Sequence, residues 1–332
     1  KMKLKKIVLI VFFAIAKTVW AQDPIFTQFY LFPQSLNPGF TGILGDWQVG
    51  AVHRTQWPNE LRQIDTDFLF ANTATGRNGG IGATLLSSRE KFTNYSLNQV
   101  KLNYSYNIQL NANWYFRPGL EAGLGRKNFN FSSLVLEDQI DRQTGNISVG
   151  SMDPSLNSNS INFFDFSAGM LFNTEDIWIG ASLKHLNKPN ISFTGEENLP
   201  LEMFFSVHGG WEFDIYDYRT NFLPEDSRML MTFNYMQQGE NNRLDTGAAM
   251  IFYNWTLGAT TTINPFRKSA ESHFLTSVNP FVSLKIEHFI FGISYDANIS
   301  ELSNTRGVFE LGITYQANLN LKCWGCPNYT DR

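Results

Sequence analysis

From Trp47 almost to its last residues the chain alternates apolar and polar side chains with a period of two. Phe289, Phe291, Ile293, Tyr295, Ala297 and Ile299 share one parity, against Gly292, Ser294, Asp296 and Asn298. Phe309, Leu311, Ile313, Tyr315, Ala317 and Leu319 repeat the pattern against Glu310, Gly312, Thr314, Gln316, Asn318 and Asn320. Successive side chains of a strand point to opposite faces, so each stretch is a strand with one greasy and one polar face. Stretches at 100–109, 203–215 and 255–263 follow the same template. Weaker ones at 45–54, 63–73, 79–88, 113–125, 160–173, 177–186, 228–237, 243–253 and 273–287 bring the expectation to about 14 strands, an even number, as bacterial barrels require.

A soluble sandwich would alternate too, but with more charge on its outer face. Here the polar parity is rich in Gly, Ser, Thr and Asn, and Trp114, Tyr115, Trp255, Phe289 and Tyr315 stand at segment ends, where an aromatic girdle meets lipid headgroups. Aromatic residues make up 15% of the sequence and charged residues only 17%, and beyond the leader no apolar run is long enough for a spanning helix. The expected fold is all-β: a transmembrane outer-membrane β-barrel of antiparallel strands. A net charge of −4 excludes a strongly basic nucleic-acid binder.

The ends of the chain obey other rules. Lys1–Lys6 is basic, Ile7–Ala16 apolar, and Val19-Trp20-Ala21 a small-x-small site, so residues 1–21 read as a secretory signal peptide. The barrel is expected over 43–321, followed by a periplasmic tail, 322–332, that holds Cys323 and Cys326. A C-x-x-C pair reads as a disulfide, half a metal site or a redox motif. Zinc needs two more Cys or His nearby and a redox centre needs a thioredoxin-like context, so a local disulfide is the preferred reading.

Gln22–Gly42 fits neither the leader nor the strands. Pro24, Pro33 and Pro38 exclude a continuous helix or central strand, yet Ile25, Phe26, Phe29, Tyr30, Leu31, Phe32 and Phe40 are too apolar for a solvated tail. The segment is expected to pack irregularly on or inside the barrel.

Asp23-Pro24, Gln28-Phe29-Tyr30 and Asn37-Pro38-Gly39-Phe40-Thr41-Gly42 resemble the opening signature of the PorP/SprF family. Lys184-His185-Leu186-Asn187-Lys188-Pro189, Ser294-Tyr295-Asp296 and Phe309-Glu310-Leu311-Gly312 are similar to family positions further along. The resemblance marks Asp23, Pro24, Gln28, Tyr30, Asn37, Pro38 and Gly42 as signature residues. It implies an integral outer-membrane protein of a Gram-negative bacterium, tied to type IX secretion and serving a secreted cargo protein such as a gliding or adhesion adhesin. Core apparatus contacting other secretion components is the alternative within the family, and a diffusion porin or a barrel enzyme the alternatives outside it.

No catalytic or phosphate-binding motif occurs, and His53, His185, His208, His273 and His288 are scattered singly, which reads as structural; no enzyme, cofactor or metal is expected. Glu137-Asp138-Gln139-Ile140-Asp141 lacks the spacing of a calcium loop. Parity points Lys101, Arg117, Glu121, Lys184, Glu212, Asp214, Lys285, Asp296 and Glu310 into the lumen. With a periplasmic start to the first strand, 126–159, 187–201 and 264–272 become extracellular loops, while 173–176, 254 and 287–288 become periplasmic turns; 217–227 is a long exception. Phe131, Leu134, Val135, Leu136, Phe193 and Leu199 are the apolar anchors a docked partner would use on those loops. Ile293→Arg should cost far more than Ser294→Arg, one facing lipid and the other a wet lumen.

Overall fold

The structure is a computed structural model that describes residues 23–58, 63–129, 135, 137–141, 144–148, 159–193, 198–216, 223–266, 274–299 and 306–317. The expected leader, Cys323 and Cys326 lie outside the described residues, as do Phe131, Leu134 and Leu136.

The strands are β1 (Gln48–Gln56), β2 (Ile64–Thr75), β3 (Gly79–Glu90), β4 (Ser96–Tyr106), β5 (Ile108–Gln109), β6 (Tyr115–Asn128), β7 (Ser160–Asn173) and β8 (Ile177–Lys184). They continue as β9 (Phe204–Asp214), β10 (Arg228–Gln238), β11 (Asn241–Phe252), β12 (Trp255–Ile263), β13 (Leu275–Ile286), β14 (Phe289–Asn298) and β15 (Val308–Gln316). All pairings are antiparallel; β4 pairs with β6 past the two-residue spur β5, and β1 pairs with β15, which closes a barrel of 14 strands. The stretch expected at 100–109 is therefore split. β4 stops at Tyr106, and Ile108 and Gln109 turn back against Phe116 and Tyr115.

Exposure along the strands decides against a soluble sandwich. In β15 the apolar residues Phe309, Leu311, Ile313 and Tyr315 face outward, while Val308, Glu310, Gly312, Thr314 and Gln316 are buried. Leu102 is 68% exposed, Leu124 67% and Leu311 60%, an apolar outer surface that water would not tolerate and lipid requires. Among the described residues no helix is long and apolar enough to cross a membrane, and the crossing is made by strands. Trp255, Phe289 and Tyr315 stand outward at one rim, with Phe289 and Tyr315 ring centroids 5.1 Å apart. Tyr115 departs from the expected girdle. It is 6% exposed and points inward, because its partner in register, Asn173, is buried as well.

The connections distinguish the rims. Gly76–Asn78, Thr174–Asp176, Tyr253–Asn254 and Glu287–His288 are short turns at the girdle end, whereas 129–159, 185–203 and 264–274 lie at the other. Long loops mark the extracellular end of such barrels. The span 215–227 remains a long connection at the turn end.

Asp23–Leu44 lies inside the barrel as a strap. It touches β1, β2, β4, β7, β8, β10, β14 and β15, a set that spans the whole circumference and is reachable only from within. Barrels of eight strands fill with their own side chains and those of 16 leave a channel, so 14 strands leave space for a further chain. The strap fills it. Phe26, Tyr30, Leu31 and Phe32 pack with Val52, Phe68, Phe70, Leu230 and Phe281; Phe29, Leu36, Phe40, Ile43 and Leu44 pack with Leu171 and Trp178. Each such burial contributes about 1.5–3 kcal/mol. The strap's prolines start two short 3-10 turns, Pro33–Ser35 and Pro38–Phe40, the second capped by Asn37 Oδ1, which accepts from Gly39 N–H at 2.8 Å.

The filled lumen overturns one expectation. Ser294 is 2% exposed and its Oγ accepts from Gln28 Nε2 at 3.3 Å, so an arginine there would collide with the strap rather than meet water. Asp214 is also corrected: it ends β9 exposed at the rim, where the parity rule no longer buries it.

Candidate functional site

The strap enters at the loop end and leaves at the turn end, and each part of its path is held by a different set of wall residues. At the loop end Asp23 N–H donates to Gln238 at 2.8 Å, and the Asp23 carboxylate meets His185 Nε2 at 2.7 Å. His185 Nδ1 faces Asp165 at 2.9 Å, and Asp165 pairs with Lys101 at 2.8 Å. Lys101 also pairs with Glu121 at 2.9 Å, and Glu121 accepts from Asn103 Nδ2 at 3.2 Å. The register makes this chain possible: Lys101 and Asp165 both lie opposite Gly123, which carries no side chain between them.

His185 lies just beyond β8 and is fully buried between two carboxylates. Burial pulls its pKa down, but Asp23 and Asp165 outweigh burial and push it up to about 9. At neutral pH it is an imidazolium, with both ring N–H groups donating. Burial would raise the Asp23 carboxyl, yet His185, with Lys184 and Lys101, holds it well below the usual carboxylate range.

A little deeper, Glu310 accepts the backbone N–H groups of Thr27 and Gln28 at 2.8 and 3.0 Å. Thr27 Oγ1 donates to Asp296 at 2.8 Å. Arg54, the cross-strand partner of Glu310, donates to it at 2.7 Å and to Asp296 at 3.3 Å. Two carboxylates, one guanidinium and two amides thus meet away from water, where buried charge is tolerated only when paired; Arg54 does so through one terminal nitrogen, and its Nε has no partner among the described residues.

Beyond Ser35, whose carbonyl accepts from the Lys184 ammonium, the holds towards the turn end are neutral. Asn37 Nδ2 donates to Met170 O at 2.8 Å and to His208 Nε2 at 3.1 Å, which leaves the His208 proton on Nδ1, donated to Ser206 Oγ at 2.8 Å. Ser182 Oγ donates to Leu36 O and Ser105 Oγ to Thr41 O, at 2.7 and 2.6 Å. Gly42 N–H donates to Asn72 at 3.0 Å. Gly42 has φ +66°, and a Cβ there would stand 2.6 Å from Gly80 Cα. Only glycine combines that backbone with that approach.

The motifs singled out in the sequence therefore meet in space. Asp23 lies on His185, Gln28 on Ser294 and Glu310, and Thr27 on Asp296. Tyr30 stacks at 4.6 Å on Phe281, while Asn37, Pro38 and Gly42 form the inner lock. Arg54 and Asp165 belong to the same assembly and were missed. Parity would have found them, but Asp165 sits in Phe163-Phe164-Asp165-Phe166, where aromatics on both faces hide the alternation. Ser206 and His208 have the composition of a nucleophile and its base, but both are fully buried beneath Asn37 and Phe40.

At the loop rim Val135 and Leu199 are exposed, and Phe193 reaches Phe129 at 6.2 Å between ring centroids. The same loops bury Ile191 and Leu201 against Leu97 and Phe163, so part of their apolar content folds them onto the wall. Two clefts open around the strap's first residues. One of ≈ 440 Å³ lies towards β1–β4, and one of ≈ 260 Å³ towards β9–β13.

Residues 19–315 match the family model described as type IX secretion system membrane protein PorP/SprF. The chain belongs to the PorP/SprF family. It is accordingly an outer-membrane component of type IX secretion, integral to that membrane. Among curated proteins nothing matches. Among solved structures the barrel is similar to the KdgM porin, at 9% identity and TM-score 0.36, over 82% of this chain and 99% of that one. It is similar to the TodX deltaS2S3 mutant monoaromatic hydrocarbon channel, at 10% identity and TM-score 0.49, over 84% and 92%. It is also similar to CdiB from Acinetobacter baumannii, at 6% identity and TM-score 0.44, over 81% and 59%.

Proposed function

We propose that this PorP/SprF protein supports secretion or surface anchoring of one specific cargo, an adhesin-like secreted protein, docked at its extracellular mouth, and that it is not an enzyme. The observation that carries the reading is the occupied lumen. A strap whose amides and carboxylate are bonded to the wall stands where a porin's water column would run, and a barrel so filled is suited to holding a protein rather than passing solutes. Residues 1–21 are removed on export, Asp23–Gly42 is the plug, and Cys323 and Cys326 form a bond in the periplasmic tail. Val135, Phe193 and Leu199, with Phe131, Leu134 and Leu136, contribute to the docking surface.

The test is gene deletion followed by mass spectrometry of proteins shaved from intact cells. Loss of a single surface protein, with other type IX cargo retained, supports the reading. Loss of all cargo assigns the chain to the core apparatus with its periplasmic partners. An unchanged surface with impaired solute uptake makes it a porin.

A further inference from the structure

The cleft of ≈ 440 Å³ at the loop end lies within the size range of small-molecule sites, about 300–1,000 Å³. Trp57, Tyr95 and Phe129 line it with aromatic faces, and each is anchored. Trp57 N–H donates to Gly307 O at 3.0 Å, and the Tyr95 carbonyl accepts from Glu90 N–H at 2.9 Å. Tyr95 also packs against the Leu97 and Phe163 cluster, and the Phe129 ring meets Phe193. The rest of the lining is largely polar, and its carboxylates and one guanidinium are engaged. Asp23 is held on His185, Arg54 on Glu310 and Asp296, and Glu90 accepts from the N–H groups of Phe92 and Thr93. Arg243 uses only Nε, which donates to both oxygens of Asp245 at 2.8 and 2.9 Å. Its terminal amino groups, the Gln56 side-chain amide and the Tyr95 hydroxyl make no hydrogen bond among the described residues.

These uncommitted groups select a ligand class. A simple ion calls for charge that is not already paired, and Arg243 has Asp245. An apolar molecule would bury the guanidinium, amide and phenol without partners. A sugar ring meets both halves of the lining. Its C–H face packs on an aromatic side chain, while its hydroxyls accept from a guanidinium and exchange bonds either way with an amide or a phenol. We propose that the loop-end cleft binds a saccharide, with Trp57, Tyr95 and Phe129 against the ring faces and Gln56, Tyr95 and Arg243 on the hydroxyls. Asp245 is a positioning residue. It holds the guanidinium through Nε and balances its charge, so the free fork is offered to neutral hydroxyls. The site stands apart from the cargo reading, since a sugar can reach this mouth on a lipid, on a surface protein or free.

The probe is a printed array of di- to tetrasaccharides built from neutral hexoses, N-acetylhexosamines and hexuronic acids. It is overlaid with the fluorescently labelled full chain in lauryldimethylamine oxide, a detergent without a sugar headgroup. Saturable binding to at least one neutral member is expected. Trp57→Ala should weaken it at least about tenfold, as should Arg243→Lys, which keeps a cation beside Asp245 but removes the fork. Tyr95→Phe keeps the wall and removes one hydroxyl, for a loss of about threefold. It remains readable if Trp57→Ala fails to show the heat-modifiable gel shift of a folded barrel. Competition by polysaccharide released from the cell's lipids, or by glycans released from shaved surface proteins, would support the site and name the source of the sugar. No saturable binding, or binding that none of the three substitutions weakens, overturns it. Binding confined to hexuronic acids overturns the assignment to neutral hydroxyls and makes the cleft an anion site.

Discussion

The two ends of the strap are held by different physics. At the loop end the contacts are ionic: Asp23 on an imidazolium, and two amides on a carboxylate that also binds Arg54. At the turn end they are made by amides, hydroxyls and bare backbone, with a glycine brought against Gly80. An ionic clamp holds only while its members keep their charge, whereas a steric lock depends on shape alone. The outer end of the strap is thus the one whose hold depends on pH.

Glu310→Ala should have the largest effect. It strips two strap amides and leaves Arg54 with Asp296 alone, for a loss of about 3–5 kcal/mol. The readout is the temperature of the heat-modifiable gel transition, and a change below about 1 kcal/mol would show that the ionic end carries little. Gly42→Val attacks the other end, with about 2–4 kcal/mol expected from strained φ and overlap with Gly80. Its effect should not vary with pH. A pH-dependent loss would blur the contrast between the two ends.

The clamp's own pH profile is the third test. His185 has its pKa raised to about 9 from 6.5, so its contribution is complete below about pH 6.5 and disappears as pH rises through 9. It amounts to on the order of 3 kcal/mol. Asp23, with its pKa depressed, contributes above its ordinary range and loses that contribution as pH falls below about 4. Planar-bilayer conductance should therefore be small near neutrality and rise above pH 9, and His185→Gln should remove the step. Deletion of Asp23–Gly42 should give a high, pH-independent conductance. Asp67→Asn is the smallest, a control that breaks the exposed His53–Asp67 pair on the outer face for about 0–1 kcal/mol. A loss as large as that from Glu310→Ala would mean that burial is not what makes the clamp strong.

Much of the barrel was legible because a strand in lipid must write its two faces into sequence. Phe309-Glu310-Leu311-Gly312 states its orientation outright. The strap was legible as a segment, since three prolines among aromatics have few other uses. Its path was not. Nothing local says that Asp23 crosses to His185 or that Glu310 serves Thr27 and Gln28, because those pairings depend on which wall positions the closed barrel brings to one depth. The same ignorance made Ser294 look wet. Alternation reports which face a residue takes, but not what fills the space beyond it.

The seam between β1 and β15 has a consequence for how the molecule is made. Thr27 and Gln28 are among the first residues of the strap, and their acceptors, Asp296 and Glu310, belong to the last two strands. The clamp on them cannot form until β14 and β15 are in place and β15 has met β1. A chain cut short before β14 carries a strap with nothing to grip there. Placement of β14 and β15, closure of the wall and locking of the lumen are therefore bound into one event, and a half-made barrel is marked as such by its loose beginning.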